Sequence, residues 1–283
     1  MNLKTKRITT GVGVLVLIAA LTLMQPRART ALRLVRGFTA LDADPRIRYE
    51  QGAEYLARVI AASLPAVQAL VEELQRAPFA RPFRVYVCVT HRGFTTRIGE
   101  PADSPARGIA FLRDIWISPK AFSFHGRDTH RQTLTHELSH LHLGQRLGWR
   151  RKTKYVPSWF QEGLANWIAG SGDELVSPRE ACRAILSGHR IVLDESGYLP
   201  FPRPPESYGM TWPMFCVQSR MFVEYLRLRN IAAFNDLIAV VVHGARFKSA
   251  FKSTFGVSLA AAWQDFLKAL ESRLPGLGLD IEP

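Results

Sequence analysis

The chain has few cysteines. Cys88, Cys182 and Cys216 are its only three in 283 residues, widely spaced and in no CxxC pair. That excludes a zinc knuckle and a thiol–disulfide redox motif, and it limits any disulfide framework to one bridge. Three buried apolar thiols are the plainer reading. Internal repeats and low-complexity tracts are also missing, which sets repeat architectures aside. Acidic residues are absent from the first 36 positions, where Lys4, Lys6, Arg7, Arg27, Arg29, Arg33 and Arg36 sit. The formal net charge is +13, but after position 36 the 30 basic and 24 acidic residues leave only +6. Much of the excess therefore flanks one apolar run, and no nucleic-acid-binding motif is visible, so no nucleic-acid partner is expected.

What is present first is that apolar run. Positions 8–26 carry no charged residue, which is the short end of a membrane-spanning length. Met24-Gln25-Pro26-Arg27 interrupts the small residues that a signal-peptidase site needs. The expectation is an uncleaved anchor over 1–36, with 37–283 forming the body. Basic residues lie on both sides of the run, so charge alone does not fix orientation. The expected arrangement is a short cytoplasmic tail with the body exported to a bacterial periplasm or cell surface. With 47% hydrophobic and 22% charged residues, that body can bury an ordinary core.

Apolar residues at three- and four-residue spacing predict a helix over 49–74. The alternating Phe83-Arg84-Val85-Tyr86-Val87-Cys88-Val89 predicts a strand. A second strand is predicted over 108–117, with Gly93, Gly99, Pro101 and Pro105 marking a loop between the two. Helices follow over 129–147, stopped by Gly148, and from Pro157-Ser158 to Gly170. Four prolines mark 199–208 as a loop, and amphipathic helices are expected near 211–228, 231–243 and 258–273.

Within this frame, His136-Glu137-Leu138-Ser139-His140 places two histidines one turn apart. Positions i and i+4 share a helix face, so both imidazoles can bind one ion, and Glu137 beside them can handle the proton of a metal-activated water. The bland reading is a helix with two surface histidines. Against it stands a second segment, Trp159-Phe160-Gln161-Glu162-Gly163-Leu164, which is apolar nearly all round. A buried carboxylate is costly unless paired or metal-bound, so Glu162 is the expected third ligand of Zn2+. His125, His130 and His142 lie near the motif, His142 nearest the ligand face. The basic stretch from Arg146 to Lys154 reads as a solvated loop.

His136-Glu137-x-x-His140 followed by Trp159-Phe160-x-Glu162-Gly163-Leu164-Ala165 resembles the gluzincin zinc metallopeptidases. The likeness is closest to the bacterial proteins described as peptidase MA-like. His140 and Glu162 are 22 positions apart, as in that group. Weaker likeness runs through Gln218–Leu226 and Phe255–Trp263, so the resemblance covers about 80–270. It implies an α+β fold, a small mixed sheet on a helical zincin-like domain. It also implies zinc on His136, His140 and Glu162, Glu137 as general base, and an edge strand over 108–117 that pairs with substrate. One position departs: where the family often has an oxyanion-donating Tyr, this chain has Cys216. Tyr208 is the expected replacement, ahead of His142 and Arg220. Two functions follow. One is a membrane-anchored peptidase acting on a peptide or protein substrate. The other is a catalytically weak zinc-binding pseudopeptidase that holds a partner at the membrane.

Overall fold

The computed structural model describes residues 37–111, 113–194 and 205–272, the side chain of Tyr208 excepted. The expected anchor at 1–36 and most of the proline-rich loop lie outside the described residues. The chain begins with β1 (Phe38–Leu41) and β2 (Asp44–Glu50), then α1 (Glu54–Leu74), β3 (Arg84–Val87) and α2 (His91–Ile98). A hairpin follows, β4 (Gly108–Phe111) and β5 (Asp114–Ile117). Beyond it the regular elements among the described residues are helices: α3 (His130–Leu147), α4 (Trp149–Tyr155), α5 (Ser158–Ala169), α6 (Pro178–Leu186), α7 (Trp212–Arg229), α8 (Ile231–Val242), α9 (Phe247–Phe255) and α10 (Leu259–Glu271). A small mixed sheet packed on helices is thus what the chain forms.

The five strands lie in the order β1-β2-β3-β5-β4, with β2, β3 and β5 parallel and the two outer pairs antiparallel. Successive strand residues face opposite sides. Val85, Val87, Ile115 and Ile117 enter the main core with α1 and α3. Tyr86, Cys88 and Trp116 face the other way, onto Phe94 and Ile98 of α2. Tyr86 and Trp116 stack at 4.5 Å, and Phe38 meets both edge-on.

Several boundaries differ from the sequence expectations. The helix expected from position 49 starts at Glu54, because Tyr49 belongs to β2. The strand expected over 108–117 folds back on itself, with Phe111 opposite Asp114. The polar Arg113-Asp114 pair breaks the apolar run at its middle, so of these two strands β4 is at an edge and β5 is interior. The expected loop between the strands contains α2, capped by the Thr90 side chain. The expected basic loop is α4.

α1 is long and apolar enough to cross a bilayer by length and composition. One side of it, Ala57, Ile60, Leu64, Val67 and Val71, is buried in the main core. Its end is tied to α3 by Gln75, whose side chain donates to the Ser139 carbonyl. α5 is the best-buried helix near the site. Trp159 and Phe160 lie among Phe222 and Phe247, and the Trp159 indole N–H donates to the Asp194 carbonyl.

Candidate metal centre

Three donors converge where α3 meets α5. His136 Nε2 and His140 Nε2 are 3.0 Å apart. Glu162 Oε2 is 3.5 Å from His136 Nε2, and Glu162 Oε1 is 3.3 Å from His140 Nε2. Ligands about 2.0–2.1 Å from a tetrahedral zinc are separated by about 3.3–3.4 Å, so the spacings are of the right size for one ion, with Glu162 turning a different oxygen to each histidine. His136, His140 and Glu162 also form the one three-residue group of metal-ligating type among the described residues. Their side chains are 12–20% exposed, so solvent reaches the group.

The surroundings favour these roles. Asn166 lies one turn beyond Glu162, and its Oδ1 is 3.1 Å from His136 Nδ1 and accepts from Ser171 Oγ. With Nδ1–H donating to Asn166, the Nε2 lone pair of His136 turns inward as a metal ligand requires. A Nε2 lone pair facing a second Nε2 at 3.0 Å needs a cation or a shared proton between them, so the donor set fits zinc. Burial opposes charge on Glu162, but His140 and His136 outweigh it and hold the carboxyl well below its usual range. Burial also opposes charge on His136, yet the Glu162 and Glu137 carboxylates raise its pKa; for His140 burial prevails and its pKa falls.

Glu137 is buried on the same helix and faces the sheet edge. A Cβ built at Gly108, the first residue of β4, would lie 2.8 Å from Glu137 Cγ and 2.9 Å from Thr133 Cγ2. Only a glycine leaves that space, so β4 runs directly against the carboxylate. The outer edge of β4 pairs with no strand among the described residues. Arg107, just before β4, bonds Glu174 at 3.3 Å and Thr129 at 3.1 Å, tying the edge strand to the segment after α5.

Gly163 sets the other wall. A Cβ there would come within 2.5 Å of the Ser219 carbonyl oxygen and 2.6 Å of Val223 Cγ2. α5 and α7 therefore approach backbone to backbone, with the Val223 side chain alongside, at the residue next to Glu162. This contact places Cys216 of α7 beside Asn166 and within electrostatic reach of Glu162, where burial pushes its thiol well above the usual range. All three cysteines are free and buried, so no disulfide forms among them.

The other expected residues go elsewhere. His142 is two positions past His140, 200° around the helix, and lies between Gln75 and the Ala77 carbonyl rather than on the ligand face. His130 bonds Asp128 and Ser63, and His125 packs on Phe124. Arg220 is engaged by the Ser171 carbonyl and Asp173. The Tyr208 side chain, expected as oxyanion donor, lies outside the described residues.

Sequence reasoning missed Asn166, whose i+4 spacing from Glu162 was a readable signal. It also missed Lys152, hidden in a basic run. The Lys152 stem passes Gly144, and its Nζ donates to the His140 carbonyl at 3.4 Å. Burial pushes its pKa down, while Glu162 and Glu137 pull it up.

The chain matches no protein-family model and no curated protein. Among solved structures, yeast LTA4 hydrolase in complex with bestatin is similar, with a TM-score of 0.48 and 13% identity. Native yeast LTA4 hydrolase is similar too, at 0.47 and 14%. In both cases 87% of this chain is covered, and the chain spans about 40% of the enzyme's length. At that score and identity the likeness assigns no activity.

Proposed function

We propose that the chain is a zinc-dependent metallopeptidase that hydrolyses bonds in a peptide or protein substrate. We also propose that the 8–26 segment holds it at a membrane, with the body over 37–283 exported. The peptidase reading rests on one observation: His136, His140 and Glu162 gathered within reach of one metal ion, with Glu137 next to them against the open edge of β4. His136, His140 and Glu162 would hold the metal. Zinc bound there supplies Lewis acidity and a water whose pKa falls to about 7. Glu137 accepts the proton of the attacking water and returns it to the leaving amine. Asn166 fixes the tautomer and ring plane of His136. The free amides and carbonyls of β4 offer an extended substrate a strand to pair with, which orients its backbone beside Glu137.

A second reading, a pseudopeptidase that binds zinc and a partner without efficient cleavage, is favoured by Cys216. A buried neutral thiol is a poor donor, and losing one oxyanion donor costs about 100- to 1000-fold in rate.

Metal analysis and a peptide-library cleavage assay on the full chain separate the readings. The parent is expected to hold one zinc, Glu162→Ala to lose it, and Glu137→Gln to keep zinc while losing hydrolysis about 100-fold or more. Undiminished cleavage by Glu137→Gln would reject the mechanism. A parent that binds zinc but cleaves nothing, and gains hydrolysis on Cys216→Tyr, would establish the second reading.

A further inference from the structure

We infer that α4 and the start of α9 form a docking face for the surface of an anionic lipid bilayer. Two stretches without a single acidic residue, 138–161 and 237–264, come together there. The Arg246 guanidinium lies 5.2 Å from the ring of Tyr155, and Arg151 Nη1 approaches the Gly244 backbone, with 3.4 Å to a Cβ built there. α4 turns Thr153 inward and leaves Arg150, Arg151 and Lys154 exposed; α9 buries Phe247, Ala250 and Phe251 and leaves Lys248 and Lys252 exposed. With Arg246, these make six exposed cations.

Charge accounting singles this face out. After position 36 the chain carries a net +6, so apart from these six residues the body is neutral. Among the described residues, Arg150, Arg151, Lys154, Arg246 and Lys252 form no ion pair with a carboxylate. Elsewhere several cations sit against carboxylates, as in Arg97–Glu50, Arg107–Glu174 and Arg229–Asp265. Like charges gathered on one face repel one another and are relieved by a surface of opposite sign.

Trp149 decides between possible anionic surfaces. It opens α4 beside Arg150 and is 56% exposed. A large indole left in water next to basic side chains matches the lipid headgroup zone, where Trp and Tyr partition and Lys and Arg meet anionic phosphates. A nucleic acid read by its backbone would use the cations and leave the indole unexplained. α4 also joins the two ligand helices, so docking here would hold the metal centre close to the bilayer surface.

The test uses the full chain in lipid nanodiscs, so that any anchoring by the N-terminal segment is common to every arm. Brominated phosphatidylcholine quenches tryptophan fluorescence, and Trp149→Phe isolates the contribution of this residue. Quenching of Trp149 is expected in discs containing phosphatidylglycerol and not in discs of phosphatidylcholine alone. It should vanish at about 0.5 M salt, where the Debye length shrinks to about 4 Å. Arg150→Gln and Lys154→Gln, which leave the fold untouched, should each weaken docking about fivefold. Unquenched Trp149 in anionic discs, or equal quenching in neutral ones, would overturn the inference. So would salt-sensitive binding of a short DNA duplex through the same residues without any lipid contact.

Discussion

Gly163→Ala is the sharpest perturbation the structure offers. A Cβ at this position would lie 2.5 Å from the Ser219 oxygen, 2.6 Å from Val223 Cγ2 and 2.8 Å from the Ser219 carbonyl carbon. Two of these three atoms are backbone, so the neighbour cannot rotate away; α5 and α7 must separate by several tenths of an ångström. Overpacking of this kind costs about 1–3 kcal/mol, and in a domain this size each kcal/mol lowers Tm by about 2–4 °C. The metal donors feel the same displacement, since Glu162 is the adjacent residue and the three donors are only 3.0–3.5 Å apart. Zinc affinity is therefore expected to fall about 10- to 100-fold, as it does when the support of a ligand is disturbed. Differential scanning fluorimetry and competition against a chromophoric chelator read the two effects separately. An alanine variant that melts and binds zinc like the parent would refute the claim that this contact positions Glu162.

Gly108→Ala should act on the base instead: zinc content unchanged, but turnover reduced about tenfold or more, because the new methyl displaces Glu137 by its Cγ and Oε1 contacts; loss of zinc would contradict it. Asn166→Leu is expected to weaken zinc binding about 10- to 100-fold by freeing the His136 ring, measured by the same chelator competition. Lys152→Met keeps the stem beside Gly144 and removes a like charge from beside the ion. Zinc should bind about tenfold tighter, and weaker binding would show that the ammonium holds the ligands in place. Burial raises the thiol pKa of all three cysteines, that of Cys88 to about 12, so neutral thiols persist at pH 7–8. Iodoacetamide should label none of them in the native state, and fast labelling of Cys216 would mean an open cleft.

What the sequence made legible follows from range. His136 and His140 are related by one helical turn, and the near-complete apolar setting of Glu162 marks a carboxylate largely withdrawn from solvent; both signals sit within a few residues. The sheet was harder to read. β2 is Asp-Pro-Arg-Ile-Arg-Tyr-Glu, with Ile47 its one fully buried side chain. Its Glu50 is satisfied by a partner that only the fold supplies, Arg97 of α2. α4 looked like a loop because a basic run on a seven-residue helix shows too few inward residues to make a period. The turn inside 108–117 was masked by apolar residues on both sides of Arg113-Asp114.

The least legible feature is the one on which the proposed activity turns. The position of Cys216 could be read only through the family resemblance, yet the structure gives it a physical reason. Gly163 draws α7 against α5, and whatever occupies position 216 then lies beside Asn166 and near Glu162. A tyrosine there would carry a longer side chain ending in a hydroxyl, whereas the cysteine is short and burial keeps its thiol neutral. The electrostatic demand on the site does not change with that substitution, because two carboxylates and two imidazoles still converge on one point. Lys152 is a cation the fold holds within electrostatic reach of Glu162 and Glu137, with its Nζ bonded to the His140 carbonyl. Lys152→Met and Cys216→Tyr therefore form a natural double-mutant cycle. If the ammonium has taken over the stabilisation a tyrosine gives elsewhere, the loss from Lys152→Met should shrink in the Cys216→Tyr background. Strictly additive effects on kcat would show that the two positions act independently.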